Sequence, residues 1–186
     1  LRAPASIAVL GDLADSQRDI LGPWIFDFDL SESVTILDGI RRRAGGGTRV
    51  EYAPATACAT RVYPSMFDSH ESGTLPQTPE GFDEDAELER AVALAAESEV
   101  AVVVVGQPQN MIGEKASVST LDLPGRQLEL LQRVHATGTP MVVIVMSGRP
   151  LDLRWADANA DAIVQIWYPG VRGGDAVARV LFGDVS

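Results

Sequence analysis

One carboxylate stands out because it follows the most apolar run of the chain. Residues 102–105 are four consecutive valines, Gly106 ends the run, and Glu114 stands eight residues further on. Such a run is typical of a strand covered on both faces of a parallel sheet. Ligands of open parallel sheets bind beyond the carboxyl ends of the strands, where this loop must lie. Glu114 is therefore the first candidate for chemistry, although a lone loop glutamate is more often only solvated.

Nucleotide binding is an alternative that the same strand pattern raises. Residues 11–14 (GDLA) follow the first predicted strand but lack the G-x-G-x-x-G spacing, and the sequence contains no G-x-x-x-x-G-K-[ST]. Residues 170–174 (GVRGG) open the last predicted helix and would offer amides to an anion. We interpret this segment instead as a tight strand-to-helix turn that needs glycine.

Other catalytic groups are scarce in this sequence. No G-x-S-x-G is present, His70 lies in an irregular segment, and His135 ends a predicted helix, where a surface cap is commoner than a base. One cysteine and two histidines make no credible zinc site and no internal disulfide. Cys58 is interpreted as a small, semi-buried hydrophobic residue.

The elements that position Glu114 are predicted from alternating apolar runs and amphipathic stretches. They indicate a three-layer α/β/α sandwich with a mainly parallel sheet of five to six strands. Residues 54–82 carry no periodic pattern, and an irregular segment of that length is usually functional or mobile. Besides the valine strand, the predicted strands are 6–10, 48–52, 141–145 and 162–167, and the predicted helices are 34–43 with Ser33 as N-cap, one from 83, one from Pro124, and 175–182.

Size and charge limit the classes of protein. The 186 residues, 46% of them hydrophobic and 22% charged, fit one soluble domain, residues 1–186. A net charge of −11 argues against a nucleic-acid partner. No apolar stretch approaches the ~20 residues needed to cross a membrane. Because the chain opens without methionine and stops shortly after Phe182, we expect it to be part of a longer polypeptide.

Several short motifs occur in the order found in one known family. The sequence resembles the second, α/β sandwich domain of glycoside hydrolase family 3, the β-glucosidase family. The match covers nearly the whole chain, with Asp12 in place of a proline that the family pattern usually has. The motifs are residues 7–15 (IAVLGDLAD), 22–24 (GPW), 111–117 (MIGEKAS), 123–127 (LPGRQ), 145–151 (VMSGRPL), 167–170 (WYPG), 173–174 (GG) and 180–184 (VLFGD).

The resemblance implies a role for Glu114. In that family a preceding (β/α)8 barrel supplies an aspartate nucleophile and most sugar-binding groups, whereas the sandwich domain supplies the general acid/base, which corresponds to Glu114. Met111, Lys115 and Ser117 then become candidate substrate contacts. The implied substrate is an oligosaccharide with a terminal β-linked glucose or xylose, without metal or organic cofactor. The implied location is periplasmic or secreted, and the isolated domain is expected to be inactive.

Two positions in the motif around Glu114 depart from the family pattern. The family pattern continues with an arginine after the serine, where this chain has Val118, and Lys115 replaces an alanine. Valine offers neither charge nor hydrogen bond, and a lysine is not equivalent to arginine.

The competing function is a non-catalytic carbohydrate-binding or structural module. Its candidate stacking residues would be Trp24, Tyr63, Phe67 and Tyr168, although most of these are better interpreted as core or inter-domain contacts.

Overall fold

The sheet is parallel throughout and is doubly wound. A computed structural model describes residues 1–2, 4–61, 78–114 and 116–185 of the chain. Within them the strands follow the order β2-β1-β3-β4-β5, so the direction of winding reverses between β1 and β3. The predicted parallel sheet is confirmed. The strands are β1 (Ser6–Leu10), β2 (Arg49–Ala53), β3 (Val100–Gly106), β4 (Met141–Met146) and β5 (Ala162–Gln165).

Helices cover both faces of the sheet, which confirms the three-layer sandwich. One face packs against α1 and α5, and the opposite face packs against α2, α3 and α4. The helices in the described part of the chain are α1 (Ile36–Ala44), α2 (Glu84–Ala96), α3 (Gln127–Ala136), α4 (Arg154–Asn159) and α5 (Gly173–Leu181).

The valine strand lies at the centre of the core. Every residue of β3 is buried. Val103 and Val105 pack toward α2 and α3, whereas Val102 and Val104 pack toward α1 and α5. The strand is therefore apolar on both faces, as its sequence predicts, because neither face meets water.

Several element ends differ from their predictions, and three of the differences have a clear local cause. The helix predicted from Pro124 is wrong at its start, because Gly125 has φ +59° and a turn precedes α3 at Gln127. The N-cap of α1 is Thr35 and not Ser33, since the Thr35 Oγ1 accepts a 3.1 Å hydrogen bond from the Asp38 amide. Strand β5 stops before Trp167, whose φ of +53° breaks the extended backbone.

Two glycines let α1 and α5 approach closely. A Cβ atom on Gly174 would overlap the carbonyl oxygen of Thr35, and one on Gly39 would overlap the carbonyl of Gly174. Both obstacles are backbone, so no side-chain rotation would make room. The α1–α5 layer therefore depends on glycine at both positions.

Candidate active-site loop

The loop that carries Glu114 leaves the sheet beside its switch point. It follows β3, whose neighbour β1 marks the reversal of the strand order. Gln107, Gln109 and Asn110 are buried at the base of the loop, whereas Glu114 lies exposed in a turn at its tip. An open parallel sheet binds its ligands at this place. The structure thus places an exposed carboxylate on the loop that leaves the sheet beside the switch point.

The first anchor of the loop is a buried glutamine. Gln127, only 2% exposed, accepts a 2.8 Å hydrogen bond from the Gly106 amide and donates a 3.0 Å bond to the Gly106 carbonyl. Tyr168 adds a 2.7 Å bond from its hydroxyl to the carbonyl of Gln107. These contacts fix the point at which the chain leaves β3, because the backbone groups of two successive residues are satisfied by side chains from other segments.

The second anchor is a buried carboxylate from the loop after β1. Asp19, 6% exposed, accepts a 2.8 Å hydrogen bond from the Gln109 amide and a 2.6 Å bond from the Ser16 hydroxyl. Burial raises the pKa of this carboxyl above its ordinary value, while the two hydrogen bonds oppose that rise. Asp19 therefore ties the loop after β1 to the short 3-10 helix Gln109–Met111.

The third anchor comes from the end of β4. The Arg149 guanidinium donates a 3.1 Å hydrogen bond to the carbonyl of Met111 and a 2.9 Å bond to the carbonyl of Ala116. A longer contact of 3.4 Å reaches Oε1 of Gln107. Met111 and Ala116 stand on either side of Glu114, and we call the stretch between them the arch.

Glycine and proline shape the inside of the arch. Gly113 has φ +107°, a conformation that side chains disfavour, and a Cβ there would lie 3.3 Å from the Pro23 ring. The Ala116 amide donates a 3.2 Å hydrogen bond to the Gly113 carbonyl, which closes a turn around Glu114. Trp24 stands at the side of this turn with 59% of its surface exposed.

The other predicted substrate contacts occupy different environments. Met111 is buried, Ser117 is exposed just beyond the arch, and Lys115 lies outside the described residues. Val118, where the family pattern has arginine, is half-buried, and nothing in the structure explains the exchange. Contact of Met111, Lys115 and Ser117 with a substrate stays a prediction.

A pair of weakly acidic groups lies near the Asp19 anchor. Burial, and then the negative charge of Asp19, raise the pKa of Asp12 to about 7. Burial and the charge of Asp12 raise the pKa of the half-buried Cys58 thiol to about 11. The Asp12 Oδ1 is buried without a hydrogen-bond partner in the described residues. Desolvation thus dominates this corner of the domain and favours the uncharged forms.

The remaining sequence candidates do not form a second site in the described residues. The Gly173 amide donates to the Gly170 carbonyl (2.8 Å) and the Gly174 amide to the Val34 carbonyl (3.0 Å), as the tight-turn interpretation predicts. His135 stacks edge-to-face on Trp155 at 5.7 Å. His70, Tyr63 and Phe67 fall outside the described residues.

The described ranges contain no group of three or more histidine, cysteine, aspartate or glutamate side chains that could hold a metal ion. None of their helices is long and apolar enough to span a membrane.

The fold and loop define an α/β domain with an exposed carboxylate, Glu114, on the loop beside the switch point of a parallel sheet. The chain belongs to the family described as the glycosyl hydrolase family 3 C-terminal domain, which matches residues 1–186. The resemblance inferred from the short motifs is therefore confirmed. Arg149, Gln127 and Asp19 were not predicted as functional, although the first two lie inside those motifs.

Relatives and solved structures agree with this membership. A periplasmic β-glucosidase of Salmonella typhimurium is 38% identical over 100% of this chain and 24% of its own length. A β-xylosidase of Formosa agariphila is 34% identical over 97% of the chain and 22% of its own length. A β-glucosidase of Listeria innocua in complex with isofagomine superposes with a TM-score of 0.77 at 25% identity, over 100% of this chain and 22% of that protein. The chain thus spans about a quarter of the relatives it matches.

Proposed function

We propose that this chain supplies the general acid/base, Glu114, of a retaining β-glycosidase that releases terminal non-reducing β-linked glucose or xylose from oligosaccharides. The observation that carries the proposal is the arch: its exposed carboxylate stands on a backbone bonded at both ends by Arg149. Relatives named β-glucosidase and β-xylosidase support the substrate class.

We propose that the partner carboxylate comes from outside this domain, as the family resemblance implies. A retaining glycosidase needs two carboxyl groups about 5–5.5 Å apart, one as nucleophile and one as proton donor. Asp19 is the carboxylate bonded to the base of the loop, but it is buried and already accepts bonds from Gln109 and Ser16. We therefore assign the nucleophile to an N-terminal (β/α)8 barrel domain of the same enzyme.

The proposed reaction proceeds in two steps. As the nucleophile forms a bond to the anomeric carbon, Glu114 gives its proton to the glycosidic oxygen, whose bond to that carbon breaks. The Glu114 carboxylate then takes a proton from water, whose oxygen attacks the anomeric carbon and releases the nucleophile. Neither step requires a metal or an organic cofactor. Met111, Lys115 and Ser117 would line the sugar beside the acid/base.

The test uses the full-length enzyme with Glu114→Ala. For aryl β-glucosides with poor leaving groups, kcat/KM should fall by roughly 10²–10⁴-fold, the usual contribution of proton transfer. A dinitrophenyl leaving group needs no proton, so its kcat/KM should change little, and azide should restore part of the turnover. Glu97→Ala is the matched control, since Glu97 is exposed at the end of α2, near the start of β3. Equal losses on both kinds of substrate would contradict the role.

The competing function is tested on the 186-residue chain itself. We expect it neither to hydrolyse an aryl β-glucoside nor to bind glucose or cellobiose in a calorimeter. Trp24 and Trp167 are 59% and 51% exposed, so they are the residues on which a sugar-binding module would depend. Sugar binding that Trp24→Ala abolishes would favour the non-catalytic module, whereas turnover by the chain alone would contradict the shared site.

The proposed location is periplasmic or secreted. The support is the relative named a periplasmic β-glucosidase. Fractionation of the native host, followed by detection of the protein with an antibody against this domain, tests the proposal. Recovery from the cytoplasm alone would contradict it.

A further inference from the structure

We infer that Arg149 is the positioning residue of the acid/base, because it closes the arch and so fixes where the Glu114 carboxyl group stands. This inference rests on the proposed function of Glu114 and adds a second residue to it. Arg149 does not need to touch the substrate for this role. It acts through the backbone on both sides of Glu114.

The geometry of the contact supports a clamp. Two nitrogens of one guanidinium bind the carbonyls of Met111 and Ala116, at 3.1 and 2.9 Å. A planar guanidinium holds two acceptors at a fixed separation, which a lysine ammonium cannot do. The ends of the arch are therefore joined by a rigid group, and the turn that contains Glu114 cannot widen without breaking a charge-assisted hydrogen bond.

Arg149 is itself fixed to the sheet. It follows β4, and its carbonyl accepts a 2.8 Å hydrogen bond from the hydroxyl of Ser147, a fully buried residue. Ser147 in turn accepts a 3.4 Å contact from the Gln165 side chain at the end of β5. The position of the arch is thus fixed relative to β4 and β5, and not only relative to β3, the strand that leads into the arch.

The bonding pattern separates Arg149 from the surface arginines. Arg126 and Arg133 form ion pairs with carboxylates of α2 and α3, at 2.6 Å to Asp85 and 2.6 Å to Glu89. In the part of the chain that the structure describes, Arg149 makes no ion pair and donates only to uncharged oxygens. Its two shorter hydrogen bonds go to the loop backbone on either side of the exposed tip.

Loss of the clamp should affect proton transfer selectively. A displacement of about 1 Å at a reacting group can cost roughly 10²-fold in rate. We expect Arg149→Ala in the full-length enzyme to lower kcat/KM about 10²-fold for poor leaving groups and only slightly for dinitrophenyl glucoside. Arg149→Lys should give an intermediate loss, because it keeps one donor. Arg133→Ala is the matched control and should leave both values unchanged.

The closing experiment is a double-mutant cycle with leaving-group dependence as its readout. In the Glu114→Ala background, Arg149→Ala should cause no further selective loss on poor leaving groups, because the proton donor is already absent. If Glu114→Ala itself shows no leaving-group dependence, the proposed function fails. If Glu114→Ala behaves as expected but Arg149→Ala lowers kcat/KM equally for both kinds of substrate, only the positioning role of Arg149 fails.

A folding control keeps the test decisive. Thermal unfolding of each variant identifies a loss that comes from instability alone. If Arg149→Ala does not fold, Arg149→Lys decides the question, since its leaving-group dependence must then lie between those of the native enzyme and Glu114→Ala. A folded Arg149→Lys enzyme with the native dependence would overturn the inference.

Discussion

The loops after β3 and β5 leave the same edge of the sheet but are held by different kinds of bonds. The loop after β3 is held by side chains: Gln127 binds Gly106, Asp19 binds Gln109, and Arg149 binds both ends of the arch. The segment 166–172 after β5 is held mainly by backbone groups of neighbouring segments, as between Val34 and Val171 at 2.9 Å, and only its Tyr168 hydroxyl adds a side-chain bond to the loop after β3 in the described residues.

The two kinds of anchoring leave different parts of the two loops exposed to solvent. Backbone-to-backbone bonds pull the loop after β5 against its neighbours, and α5 begins within contact of α1. Side-chain anchors hold the buried base of the loop after β3, while Glu114 at its tip remains exposed to solvent. The loop is therefore fixed at its base without being covered at its tip. The predictions below test this contrast, from the largest expected effect to the smallest.

Gly174→Ala should strongly destabilise the domain at the contact between α1 and α5, next to the loop after β5. The added Cβ would overlap the Thr35 carbonyl, and the obstacle cannot rotate away. Overpacking of this kind costs up to about 3 kcal/mol. Urea unfolding of the chain should report that loss, with Ala176→Ser on the partly exposed side of α5 as the control. A loss below about 1 kcal/mol would mean that the α1–α5 contact adapts easily.

Asp19→Ala should weaken the side-chain-held loop. The Gln109 amide would lose its buried charged acceptor, at a cost of about 2 kcal/mol in the free energy of unfolding. Asp19→Asn keeps an acceptor oxygen and should cost clearly less. Hydrogen exchange of the Gln109 amide, measured together with urea unfolding, would show the local loosening. Equal effects of alanine and asparagine would argue against the hydrogen bond as the source of stability.

The stability of the domain should fall as the pH rises from about 4 to 7 because of Asp12. Its folded pKa of about 7 lies above the ordinary 3.8, so the folded state binds this proton more tightly than the unfolded chain. The contribution is complete below pH 4 and is lost through pH 7, with a slope of at most about 1.4 kcal/mol per pH unit. Urea unfolding of Asp12→Asn should lack this part of the slope. If the free energy of unfolding of Asp12→Asn depends on pH as that of the native domain does, Asp12 is not the source of this pH dependence.

Arg133→Ala should have the smallest effect. Its ion pair with Glu89 lies at the surface, where such pairs contribute less than about 1 kcal/mol. The same substitution is the control for Arg149, so its effect on thermal unfolding calibrates the comparison between the two arginines. A loss as large as that of Arg149→Ala would show that surface pairs stabilise this domain unusually strongly.

The sequence predicts the features of the molecule that local pattern controls. The valines of β3 indicate a strand buried on both faces. Because ligands of open parallel sheets bind at the carboxyl ends of the strands, the sequence also predicts at which end of the sheet Glu114 lies. The start of α3 was misjudged because Pro124 is typical of the first position of a helix, whereas the left-handed Gly125 delays the helix to Gln127. Helix α4 was missed, since its six residues are too few for a periodic signal.

The anchors of the loop could not be predicted in the same way. Asp19 and Gln109 are 90 positions apart, and Arg149 is 33 positions from Ala116. Nothing in the local composition of either segment indicates these bonds, because they arise only when β1, β3 and β4 lie side by side. The short motifs did contain Gln127 and Arg149, but a motif alone does not say which backbone group a side chain will bind.

The strand order has a consequence for protein engineering. The segment that carries Glu114 is anchored by residues that come both before and after it in the chain: Asp19 after β1, Gln127 at the start of α3 and Arg149 after β4. Transplanting residues 107–123 alone onto another parallel sheet would therefore transfer the carboxylate without its conformation. The smallest transferable unit comprises the carboxyl ends of β1, β3 and β4 together with the first turn of α3.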